Sequence, residues 1–146
     1  MGAEYPPIAD YALISDCHAA ALVSLAGSID WCCLPRFDSG ACFARLLDWE
    51  SGGFCSIEPR GDLAEPPSRE YLDRTMVLAT TFKTTGGDAR LIDCFTFAGE
   101  AEPRGRRRVL RVIEGMRGSF GFRIEVVPRF DYGAVDPWMR HHGLGV

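Results

Sequence analysis

Two tetrapeptides of identical sequence, Pro35-Arg36-Phe37-Asp38 and Pro128-Arg129-Phe130-Asp131, each directly follow an apolar run and concentrate the chain's most useful chemistry. Arginine presents a planar fork of donors, aspartate presents acceptors and phenylalanine a flat face. That set can bind a sugar by hydrogen bonds and ring stacking, and Trp31 adds an aromatic just ahead of the first copy. The same residues can also build a rigid corner, in which proline fixes φ, phenylalanine enters the core and arginine pairs with aspartate across the turn. Taken alone, the residue types favour the corner. The candidates for substrate binding or domain docking are therefore Trp31, Arg36, Phe37 and Asp38.

Other chemistry is incomplete. Glycoside hydrolysis uses two carboxylic acids flanking the scissile bond, and carboxylates are plentiful, but Asp16, Asp30, Asp38, Asp93 and Asp131 all fall at strand ends or loops. Aspartate in such places commonly fixes turns through backbone hydrogen bonds, so no catalytic residue is assigned. The chain has no G-x-S-x-G elbow, no glycine-rich phosphate loop and no histidine pair at i, i+4. Its histidines are His18, His141 and His142, the last two near the C-terminus. The six cysteines form no C-x-x-C pair and have no histidine at ligand spacing, so neither a metal nor a cofactor is expected.

The elements that position these residues are strands. Tyr11 to Ile14, Ala20 to Leu25 and Ile29 to Leu34 read as strands, with a tight turn at Ala26-Gly27-Ser28. Strict alternation in the third places Ile29, Trp31 and Cys33 on one face, with Asp30 and Cys32 opposite. Phe43, Leu46 and Leu47 recur at i, i+3, i+4, which predicts one short helix over residues 40–48. Gly53 to Ile57 is a further strand, and 58–68 a surface loop. Tyr71 to Thr84 and Ala89 to Phe97 make a hairpin through Gly86-Gly87. Val109 to Glu114 and Phe120 to Val127 make another about Arg117-Gly118-Ser119, with Phe120, Phe122, Ile124 and Val126 inward. Many short strands without αβ alternation predict an all-β fold, an antiparallel β-sandwich.

A length of 146 residues suits one domain spanning 1–146. The net charge of −4 supplies no field for nucleic acid, and the basic run at Arg104 and Arg106 to Arg108 reads as a solvated loop. No signal peptide or run of 18 apolar residues occurs, so the expected location is the cytoplasm, with no membrane partner and with the cysteines as free thiols.

The block Tyr5 to Asp48 resembles the N-terminus of bacterial glycoside hydrolase family 15 proteins of the glucoamylase and trehalase type. The likeness lies in YPPIADYALI, in Asp16-Cys17, in AALVS, GSIDW and LPRFDS followed by FARLLD, and continues through VIEGMRG and VVPRFDYG. It departs at Ser15, Ala26 and Gly40, where glycine, aspartate and proline are usual. The resemblance implies an incomplete supersandwich that packs against a catalytic (α/α)6 barrel. It also implies inverting hydrolysis of α-glucosides such as trehalose or malto-oligosaccharide by two glutamates of that barrel, which have no counterpart here. The alternatives are a freestanding carbohydrate-binding module or a subunit that pairs with a separate barrel. A sandwich without that partner is expected to expose a sheet edge and an apolar face.

Overall fold

The computed structural model describes residues 5–97 and 107–138. A 3-10 turn at Ile8–Asp10 leads into β1 (Tyr11–Ser15), β2 (Ala20–Ser24), β3 (Ser28–Cys33), β4 (Ala41–Phe43) and β5 (Phe54–Pro59). There follow β6 (Ser68–Tyr71), β7 (Leu78–Lys83), β8 (Gly87–Thr96), β9 (Arg108–Gly118) and β10 (Phe122–Val127). The first sheet runs β1-β2-β3-β5-β10, with β4 also on β3, and the second runs β6-β7-β8-β9. All strand pairs are antiparallel. The all-β sandwich is therefore as the patterning predicts.

Alternation supplies the core. In β8 the residues Ala89, Leu91, Asp93 and Phe95 face inward, meeting Ala12, Ile14, Val23 and Ile29 of the first sheet and Phe82 of the second. Gly27 has φ +96°, and a Cβ there would run into the carbonyl oxygen of Ile57, so the β2-β3 turn requires glycine. The core also holds a charge pair between the sheets. Arg111 donates from Nε and Nη2 to Asp93 at 2.7 and 3.1 Å and uses its remaining donors on the carbonyls of Cys55 (2.6 Å) and Gly27 (2.7 Å). One side chain of β9 thus fastens the second sheet to β5 and to the turn ahead of β3.

Five sequence expectations need correction. The run from Tyr71 to Thr84 is not one strand: β6 ends at Tyr71, β7 begins at Leu78, and the two pair antiparallel about a turn in which the Leu72 amide donates to the Val77 carbonyl (2.9 Å). The helix over 40–48 is absent: Ala41 and Phe43 pair with Cys33 and Cys32 in β4, and the amides of Ala44 and Leu46 bond to Gly52 and Asp30. Small residues at Ala41, Cys42 and Ala44 let this segment lie flat on β3, and the apparent helical spacing reduces to a turn at Leu47, which is exposed. The faces of β3 also change. Leu22 pairs with Trp31 but Val23 with Ile29, so a bulge at Asp30 shifts the alternation and puts Ile29 and Cys32 in the core, away from Trp31 and Cys33.

The hairpin about Arg117-Gly118-Ser119 is instead a crossover: β9 pairs with β8, and β10 pairs with β5 in the other sheet. Ser119 donates to the Gly86 carbonyl (3.0 Å), and the Phe120, Phe122 and Phe82 rings close that end of the sandwich. The inward direction of Phe122, Ile124 and Val126 does hold, since they lie opposite Pro59, Ile57 and Cys55. Partial burial follows only for Phe122, which packs on Phe82 of β7, while Ile124 and Val126 stay 59% and 47% exposed. Finally, Arg107 is not solvated: its Nε lies 3.3 Å from the buried Asp16 carboxylate. Arg104, Arg106, His141 and His142 lie outside the described residues.

Candidate functional site

The first tetrapeptide leaves the end of β3 and lies on the turn after β1. The Phe37 amide donates to the His18 carbonyl at 2.8 Å. That turn is organised by Asp16, whose carboxylate accepts from the amides of His18 (3.0 Å) and Ala19 (2.8 Å). Burial opposes ionisation of Asp16, but these amides and Arg107 outweigh it and hold the carboxyl below its usual range. Arg36 and Asp38 pair across the loop through two hydrogen bonds of 2.8 and 3.1 Å, as a corner requires. Phe37 departs from the corner reading: it is 67% exposed and presents its ring outward.

The second tetrapeptide uses the same residues differently. Arg129 pairs with Asp136 (2.7 Å) rather than with Asp131, and its amide donates to the Cys42 carbonyl (3.0 Å). Asp131 and Tyr132 take positive φ values of 49° and 59° in a turn closed by the Phe130 and Val135 bridge. The chain just past the first copy comes close there, because a Cβ built on Gly40 would lie 2.9 Å from Asp131 Oδ1. Tyr132 lies beside the Trp31 ring at 6.1 Å between centroids. The fold therefore gathers Trp31 and both loops into one corner, with Arg36, Phe37 and Asp38 at its rim.

From this corner an apolar row runs across the outer face of the first sheet. Leu13, Leu22 and Trp31 are successive cross-strand partners on β1, β2 and β3. Pro6, Ile8, Tyr11, Leu13, Leu22 and Leu46 line a cavity of about 410 Å³ on this face. Beside it, Asp30 is buried and accepts from Tyr11 Oη (2.7 Å) and Ser28 Oγ (2.5 Å), with Arg45 at 3.9 Å. Burial and then the Asp30 carboxylate push the Tyr11 hydroxyl above its usual range. The Arg45 guanidinium is stacked between Trp49 and Phe54, at 4.0 and 3.9 Å from their ring centres. Glu58, on the same face, is raised by burial.

Sequence reasoning missed Arg45, Trp49, Phe54 and the row of Leu13 and Leu22. The period-2 pattern of β1 and β2 carried a signal for the row, since both strands have leucine on the side away from the core. The stacking on Arg45 carried none, because it depends on the turn that replaces the expected helix. The arrangement offers an apolar platform with an aromatic and charged rim. Buried Asp30 beside it, like Asp16 and Asp93 elsewhere in the fold, already accepts hydrogen bonds from protein groups.

The trehalase-like N-terminal family model matches residues 1–146. Among curated proteins, the chain is 32% identical over 153 residues to a trehalase of Mycolicibacterium smegmatis, covering 95% of this chain and 23% of that protein. It is 33% identical to a trehalase of Mycobacterium tuberculosis, with 88% and 21% covered, and 35% identical to trehalase 1 of Sulfolobus acidocaldarius, with 82% and 19% covered. The chain spans about a fifth of the length of these relatives. No solved structure matches it. By its sequence match and its all-β sandwich, the chain belongs to the trehalase-like N-terminal family.

Proposed function

We propose that the chain is the non-catalytic N-terminal sandwich of a glycoside hydrolase family 15 type α-glucosidase, and that it packs its outer face against a catalytic (α/α)6 barrel. The observation that carries this reading is the apolar row of Leu13, Leu22 and Trp31 on the outer face, together with the exposed Phe37. A face of this kind has the apolar centre and polar rim of a protein interface. Arg36 and Asp38 then meet barrel loops or sugar at the edge of the contact. Trehalose or a malto-oligosaccharide is the proposed substrate class of the complete enzyme, in keeping with the names of the relatives. The unpaired state of all six cysteines suits the reducing cytoplasm as the place of action.

The test is glucose release from trehalose and maltose by the purified chain. No release above background is expected, and release at enzymatic rates would contradict the proposal. A second reading, a freestanding carbohydrate-binding module, draws on the outward Phe37 ring beside the Arg36 and Asp38 pair. Heat on titrating the chain with trehalose, lost in Phe37→Ala, would favour that reading over docking.

A further inference from the structure

β10 ends the first sheet, and among the described residues it hydrogen-bonds only to β5. A six-residue edge strand with one bare side is a template for another strand. Its sequence restricts which strand fits. Phe122, Ile124 and Val126 point toward the interior; Phe122 packs on Phe82, while Ile124 and Val126 remain 59% and 47% exposed. Arg123 and Glu125 lie on the other face, flanking Ile124, and pair with each other along the strand at 2.9 Å.

Antiparallel pairing of this strand with itself, centred on Ile124, matches each position from Phe122 to Val126. Ile124 meets Ile124, Phe122 meets Val126 on the inner face, and Arg123 meets Glu125 twice on the outer face. Opposite charges and apolar pairs placed directly across a ladder stabilise it, while like charges destabilise it. Moving the axis by one residue, to Arg123 or Glu125, would set that charge opposite its own copy, and slipping one strand by a single residue would set apolar side chains against charged ones. We propose that two copies of the chain join through β10 in this register, extending the first sheet across a two-fold axis. The second copy also lays its own Phe122, Ile124 and Val126 beside the uncovered apolar mouth between β9 and β10.

The experiment is light scattering and sedimentation of the full chain across a concentration series. A dimer is expected for the native chain. Arg123→Glu or Glu125→Arg alone places like charges at both outer pairs and should weaken association by about tenfold. The double swap Arg123→Glu/Glu125→Arg restores opposite charges and should recover the native constant, with circular dichroism confirming that all three variants fold. A monomeric native chain would overturn the proposal and leave the edge to a strand of a longer polypeptide. Association that ignores the single swaps, or that the double swap fails to rescue, would overturn it equally.

Discussion

The two ends of the first sheet are treated in opposite ways. At the β1 end, Arg69 of β6 donates to the carbonyls of Ala9, Asp10 and Tyr11, and the Tyr71 hydroxyl donates to the Leu13 carbonyl and accepts from its amide. Two side chains from the opposite sheet thus occupy the groups that another strand would need. At the β10 end no described residue does this, although Arg111 of β9 reaches Cys55 and Gly27 one strand further in. An edge is guarded here only where the other sheet has a strand within reach of it, because long side chains rather than backbone provide the cover. β6 stands beside β1, while among the described residues the second sheet ends at β9 and reaches β10 only where Phe82 meets Phe122.

The contrast can be broken hardest at Arg111. Arg111→Ala strands the fully buried Asp93 and releases β9 from the first sheet, and should cost about 3–5 kcal/mol in urea unfolding. Asp93→Leu combined with Arg111→Met should recover much of that loss, since a packed apolar pair removes the orphaned charge. Arg69→Ala should come next, at about 1–3 kcal/mol, because three carbonyls lose their donor together. It should also create a second sticky edge, visible as concentration-dependent aggregation. Tyr71→Phe keeps the ring and removes only the hydroxyl, so a loss of about 1 kcal/mol is expected. Ile124→Thr at the bare edge should change stability by less than about 0.5 kcal/mol while raising solubility, which separates an interface residue from a core one.

Sequence patterning gave the fold class and most strands because both follow from local alternation. It also found the Gly27 turn and the hairpin from β7 to β8, whose chemistry is local. It failed where a distant partner decides. Phe43, Leu46 and Leu47 have helical spacing, yet β3 draws the backbone of Ala41 to Phe43 into a ladder. Val109 to Val127 has hairpin spacing, yet β5 offers β10 a partner that β9, already paired with β8, does not. Inward direction was legible for Ile124, but burial was not, because burial depends on what stands opposite. For the candidate site, the pairing of Arg36 with Asp38 was legible from two residues of spacing. The approach of Gly40, past the first tetrapeptide, to Asp131 of the second was not, since repeated sequence says nothing about proximity.

Amide hydrogen exchange gives the most direct test of the central proposal, that the outer face of the first sheet docks on a catalytic barrel. Exchange is compared between the chain alone and the chain fused in place of the matching N-terminal region of the Mycolicibacterium smegmatis trehalase. The expected result is slowed exchange at Tyr11–Ser15, Ala20–Ser24 and residues 35–39 in the fusion, with β7 and β8 unchanged. Equal exchange on that face in both states, with slowing confined to the second sheet, would contradict it.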